Sequence, residues 1–388
     1  MSMQPTTQPD NPNSALSEIV SRAALERMIP YTPGKPIWEV KDEYGLERIV
    51  KLASNENPYG ASPKALEAIR EQLSELNRYP DDRSRRLVKA LAGHYELEET
   101  NFIVTNGGDE FIKLLSEAYL EKGDEVIVPS PTFSEYEFGA LLMDSEIVKV
   151  PLREGYRYSI EDILSRVGER TKLVYLCTPN NPTGTYLPRN ELQELLDRLP
   201  RNVLVVLDAA YHHFASADDY SNGMEFIKAG YPVVVLQTFS KIYGLAGIRV
   251  GFGAASEEII QAILRVKEPF NVNALAQAAA VAALDDREFV ERTRALNAQG
   301  RKQLYEGFER LSIPYVESMG NFVLADLGER TEFVYEELLK RGVITRPGRG
   351  WGLPNCLRIS VGTEEENKLF LEQLDVIAVT NGIDFKRL

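Results

Sequence analysis

Between Thr238 and Arg249 the chain sets one lysine, Lys241, beside two hydroxyl residues, Thr238 and Ser240, with the guanidinium of Arg249 downstream. The apolar run 233–236 comes directly before them. A lysine whose pKa is lowered by burial or by nearby positive charge becomes a nucleophile and forms imines with carbonyl compounds. This run therefore has the parts to hold an aldehyde by its amine and an anion by its hydroxyls and arginine. A lone lysine is ordinarily a solvated surface charge; the flanking residues favour the covalent reading.

Three other groups follow apolar runs in the same way. Asn106, Gly107, Gly108, Asp109 and Glu110 follow the run 101–104 and lead into a helical pattern. Glycines let backbone amides approach a ligand, and a helix N-terminus attracts an anion. A plain glycine turn with Asp109 as helix cap fits the same residues. Asn181 lies in the proline-bearing stretch 178–184, either a simple turn or a rigid loop whose asparagine donates to a ring oxygen. Asp208 ends the run 203–207, and Tyr211 follows it. A buried aspartate at a strand end needs a positive partner, or its pKa rises. A protonated pyridine nitrogen is such a partner, and the carboxylate in turn keeps that ring protonated as an electron sink.

The elements that must position these residues read as α/β. Apolar runs at 101–104, 125–128, 172–176, 203–207 and 233–236 alternate with helical patterns at 63–76, 109–120, 189–199, 256–267 and 274–284, which predicts a mainly parallel sheet between helices. Ligand sites in such sheets form at the carboxyl ends of the strands. After a long helical stretch, 286–311, the elements shorten to 321–324, 342–344 and 357–360, with a final helix from Glu364. The expected division is a flexible tail and arm (1–30), an arm forming part of a small domain (31–56), a large domain (57–282) and a small α/β domain (283–388).

Bulk properties narrow the function. The 388 residues are 44% hydrophobic and 26% charged, with a net charge of −14, which disfavours nucleic acid as a partner. No window is apolar enough to span a membrane. Cys177 and Cys356 give neither a disulfide framework nor metal spacing, as suits a reducing cytoplasm. Residues 1–14 are polar and read as a disordered tail rather than a signal peptide. The adjacent His212 and His213 diverge and have no third ligand at a useful spacing, so no metal is expected. Gly251, Phe252 and Gly253 lack the spacing of a dinucleotide fingerprint.

Taken together and in this order, the segments resemble the fold-type I pyridoxal-phosphate aminotransferases and, within them, the histidinol-phosphate aminotransferase family. The narrower resemblance rests on residues 52–60, 78–81, 131–133 and 181–184, the lysine run, and residues 269–273 and 357–363. It implies that Lys241 forms the imine with pyridoxal 5'-phosphate and carries the substrate proton. It further implies that Asp208 pairs with the pyridine nitrogen, that Asn181 and Tyr211 hold the phenolic oxygen, and that Phe133 stacks on the ring. The cofactor phosphate would rest on Gly108, Asp109, Thr238, Ser240 and Arg249, joined by Tyr79 of a neighbouring subunit in a homodimer. Substrate would meet Asn55, Arg358 at its carboxylate, Arg346 at its distal anion, and Tyr31 from the neighbour. The reaction implied is ping-pong transfer of an amino group from L-histidinol phosphate, the small-molecule donor, to the keto acid 2-oxoglutarate, giving imidazole acetol phosphate and L-glutamate in histidine biosynthesis. An aromatic amino acid aminotransferase, a decarboxylase of a phosphorylated amino acid and a non-catalytic cofactor-sensing module stay open as alternatives. The chain departs from the family pattern at Ala209 and His213, where acids are usual, and at Arg349 and Trp351 beside Arg346.

Overall fold

The computed structural model describes residues 19–30 and 34–387. A short strand β1 (Val50–Lys51) precedes seven strands of one sheet: β2 (Phe102–Thr105), β3 (Glu125–Ser130), β4 (Glu146–Pro151), β5 (Thr171–Cys177), β6 (Leu204–Asp208), β7 (Val233–Thr238) and β8 (Gly251–Ala254). They lie in the order β2-β8-β7-β6-β5-β3-β4. All neighbours are parallel except β8, which runs antiparallel to both β2 and β7. Every residue of β6 is buried, and β7 is buried up to its last residue, Thr238. That is why these strands read as unbroken apolar runs, as expected where helices cover both faces.

Register places the chemistry. Cys177 at the end of β5 pairs with Asp208 at the end of β6, which pairs with Leu236 in β7. The loop carrying Asn181, the carboxylate of Asp208 and the lysine run after β7 therefore leave the sheet side by side.

Within this seven-stranded sheet, β4 and β8 are absent from the expected set. In β8 the sequence Gly-Phe-Gly-Ala has little strand propensity, and packing explains it: a Cβ on Gly253 would lie 2.0 Å from Cε2 of the fully buried Phe111. Gly253→Ala should lower stability by about 1–3 kcal/mol, the usual range for overpacking. Chemical denaturation of the purified protein measures it, and an unchanged midpoint would mean that Phe111 moves freely.

The C-terminal part adds β9 (Tyr315–Val316), β10 (Phe322–Asp326), β11 (Val343–Ile344), β12 (Arg346–Pro347) and β13 (Cys356–Ser360). Four of these form an antiparallel sheet, β12-β13-β10-β9, while β11 pairs in parallel with β1. Helices Arg287–Leu311, Thr331–Lys340 and Glu364–Asn381 accompany them. Thr363 and Glu366 form a capping box that starts the last helix. Leu304, Phe308, Val323, Leu357 and Phe370 share one core with Val50 and Leu52, separate from the core around Val174, Val205, Phe239 and Phe252. Among the described residues no helix is long and apolar enough to cross a membrane.

Candidate active site

Where the carboxyl ends of β5, β6 and β7 meet β12 and β13, a cavity of about 1140 Å³ opens. Lys241, Asp208, Asn181, Arg249, Arg346 and Arg358 all line it.

Lys241 Nζ donates to the carbonyl oxygen of Ser54 at 3.3 Å and lies 5.6 Å from the centre of the Tyr211 ring. Burial, with a smaller contribution from the positive charge of Arg358, brings its pKa down to about 8. At neutral pH roughly a tenth of the amine is then unprotonated, far more than an ordinary lysine offers, and that form is the carbonyl nucleophile.

Asp208 is buried among neutral donors. Tyr136 donates its hydroxyl to Oδ2 at 2.6 Å, and the Ala210 amide donates to Oδ1 at 3.0 Å. Burial raises the carboxyl pKa, and these two hydrogen bonds oppose the rise. No ion pair reaches Asp208 among the described residues, so its environment is one that a cation in the cavity would complete. Tyr136 escaped the sequence reading because it lies on helix Glu135–Leu142, which had no clear pattern of its own; its ring stacks on Tyr175 with centroids 4.5 Å apart.

An anion cradle forms at the start of helix Gly108–Tyr119. Gly107 has φ +84°, and a Cβ there would lie 2.4 Å from Nη2 of Arg249, so only glycine admits the guanidinium so close to the helix start. Arg249 donates to Ser240 Oγ at 3.4 Å and to Asp109 Oδ2 at 3.2 Å. Thr238 Oγ1 accepts from the Ser240 amide at 3.0 Å. Gly108, Asp109, Thr238, Ser240 and Arg249 are thus gathered around one helix N-terminus, where free amides and the helix dipole favour an anion.

On the opposite wall, Arg358 donates through Nη1 to Asn181 Oδ1 and through Nη2 to the Ala53 carbonyl at 2.6 Å. Arg346 stands directly across the ladder from it, paired in register between β12 and β13. Asn55 donates through Nδ2 to the Tyr211 hydroxyl at 3.0 Å, while its Oδ1 accepts from Ser360 at 2.8 Å. It lines the cavity with its amide already engaged on Tyr211. Phe133 also lines the cavity, edge-on to Tyr136.

One described residue expected here is not in this cluster. Tyr79 is 83% exposed and stacks on Phe270 with centroids 4.7 Å apart, away from the cavity of its own chain. Tyr31 lies outside the described residues. Of the departures, His213 meets the Tyr243 hydroxyl at 3.2 Å and His212 packs on it; burial lowers the pKa of both, to about 3 for His212. Among the described residues no group of three or more His, Cys, Asp or Glu is placed to hold a metal. Arg349 is paired with Glu332 at 3.6 Å and 74% exposed, so it stands at the rim.

Comparison with known proteins gives a consistent picture. The family model described as aminotransferase class I and II matches residues 47–374. The chain is 45% identical over 354 residues to a histidinol-phosphate aminotransferase of Moorella thermoacetica, covering 91% of this chain and 92% of that one. A protein of the same name from Symbiobacterium thermophilum is 46% identical over 91% of this chain and 97% of its own. Among solved structures, histidinol-phosphate aminotransferase from Sinorhizobium meliloti in complex with pyridoxal-5'-phosphate superposes with a TM-score of 0.85 at 26% identity, covering 94% of this chain and all of that one.

Proposed function

The chain belongs to the class I and II aminotransferases, and we propose that within them it transfers the amino group of L-histidinol phosphate to 2-oxoglutarate with pyridoxal 5'-phosphate as cofactor. The observation that carries this reading is the convergence, on one cavity, of an amine with a lowered pKa, a buried carboxylate lacking a cation and a helix-terminal anion cradle. When bound, the cofactor supplies an aldehyde and a protonated ring that draws electron density from the carbon losing its proton. The residues present fit it. Lys241 holds it through the amine and moves the proton at the substrate α carbon. Asp208 balances the charge of the ring nitrogen, Asn181 and Tyr211 meet the ring oxygen, and Phe133 covers a face. Gly108, Asp109, Thr238, Ser240 and Arg249 hold the phosphate.

Arg358 takes the α-carboxylate of 2-oxoglutarate and glutamate as a planar, bidentate partner and Arg346 takes their distal carboxylate; L-histidinol phosphate has no carboxylate, and its one anion, the phosphate, is taken by the same pair. Tyr79, exposed on its own chain, is free to reach a second copy, and we assign that role to it and to Tyr31; the active unit is then a homodimer. In this reading residues 57–282 form the cofactor domain and 283–388 the small domain, the latter joined by the arm 31–56, and the enzyme works in the cytoplasm.

Single-turnover rates with histidinol phosphate, phenylalanine and threonine phosphate test the substrate. The first should react fastest; negligible reaction with it overturns the proposal, and release of carbon dioxide from threonine phosphate points to decarboxylation instead. Arg346→Leu should raise KM for histidinol phosphate and 2-oxoglutarate about 10²-fold, the scale for truncating one partner of a close charge pair, and leave phenylalanine far less affected. Equal losses for all substrates would make Arg346 purely structural.

A further inference from the structure

Arg346 and Arg358 face each other directly across an antiparallel pair, where like charges repel and destabilise the ladder. One indole receives both. The guanidinium of Arg358 lies 4.9 Å and that of Arg346 5.9 Å from the centre of the Trp351 ring. The negative face of an indole attracts a guanidinium, most strongly where water is scarce, and Trp351 lines the cavity itself.

The loop bearing the tryptophan is held by its own backbone. Leu353 N donates to the Gly348 carbonyl at 3.1 Å, Gly352 N to Arg349 O at 3.1 Å and Cys356 N to Leu353 O at 3.0 Å. A Cβ on Gly348 would lie 2.4 Å from Leu353 O, so the turn closes tightly. Arg358 is further fixed by Asn181 and Ala53. Arg349, two residues before the indole, is drawn to Glu332 instead.

We propose that Trp351 is a positioning residue that gathers Arg346 and Arg358 into one two-headed anion clamp and so tunes the pocket to the dicarboxylate acceptor, which has an anion at each end. The proposal rests on the reading of this cavity as the aminotransferase site. A ligand with two anions engages both heads and depends on their spacing; a ligand with one anion engages a single head. Loss of the indole therefore weakens the first kind more than the second.

The test uses holoenzyme and two unreactive probes, succinate with two carboxylates and 3-phenylpropionate with one, measured as competitive inhibitors of the 2-oxoglutarate half-reaction. In Trp351→Leu, succinate should bind about tenfold more weakly and 3-phenylpropionate about threefold, while Trp351→Phe, which keeps a π face, should stay within about threefold of wild type for both. KM for 2-oxoglutarate should follow succinate, with kcat little changed. In a Trp38→Phe background, where Trp351 is the remaining indole, succinate should also change the tryptophan emission. Equal weakening of both probes in Trp351→Leu, no weakening at all, failure of Trp351→Phe to restore succinate binding, or silent emission overturns the clamp. A wild-type holoenzyme that leaves 2-oxoglutarate unreacted fails at the earlier step and overturns the aminotransferase reading itself.

Discussion

Lys241→Ala should lower single-turnover amino transfer by about 10⁴-fold or more, because one substitution removes both the covalent anchor and the proton carrier, and a positioned acid–base group alone contributes about 10²–10⁴-fold. The cofactor should still associate through the cradle at Gly108, Ser240 and Arg249, since none of these contacts involves the amine. Borohydride treatment followed by mass analysis should attach the cofactor to Lys241 in the wild type and leave the variant unmodified. Normal turnover by the variant would remove the basis of the assignment.

The same substitution has a pH-dependent consequence for stability. The lysine pKa falls from its ordinary 10.5 to about 8 in the folded chain, so between these values the unfolded chain binds more protons than the native one. Stability therefore rises with pH through that window, and below pH 8 the buried ammonium disfavours the native state by about 3 kcal/mol relative to an unperturbed lysine. Lys241→Ala lacks this dependence. Without cofactor, its stability relative to wild type should improve as pH falls from 10 towards 7. A pH-independent difference between the two proteins would mean that the lysine is not depressed in the fold.

What could be read from sequence follows the physics of burial. Strands β5, β6 and β7 are covered on both faces, so their Val and Leu runs stood out, and the residues that end them, Asp208 above all, fell where a parallel sheet exposes ligands. Strand β4 lies at the sheet edge, with Glu146, Lys149 and Pro151 turned outward. Such charge and proline protect an edge from pairing with other chains, and they also erase the apolar signal. The roles of Tyr136 and Trp351 are of another kind. Tyr136 matters because its helix brings a hydroxyl to Asp208 from far along the chain, and Trp351 because the β12–β13 register sets two arginines opposite each other. Neither relation is a local pattern, whereas the lysine run, the glycine turn and the Asn181 loop are.

Asp208→Asn should cost on the order of 10³-fold in kcat/KM, the scale for removing one preorganised electrostatic group from a buried site. The amide keeps the shape, its oxygen accepting from the Ala210 amide and its NH2 donating to the Tyr136 hydroxyl, but it cannot balance a ring cation, so the loss belongs to charge. Tyr136→Phe probes the same group from behind. Its hydroxyl donates to Oδ2 at 2.6 Å and opposes the upward pull of burial on the carboxyl pKa. A hydrogen bond to a charged group contributes about 1.5–3 kcal/mol. Its removal should therefore move the acid limb of the kcat/KM profile to higher pH. The sign is fixed: without the tyrosine donor Asp208 takes up its proton at higher pH, and activity is lost sooner as pH falls. Above that limb the variant should approach wild-type turnover, which a merely structural defect would not allow. An acid limb that stays in place while activity drops at every pH would show that Tyr136 serves packing against Tyr175 and leaves the carboxylate to the Ala210 amide alone.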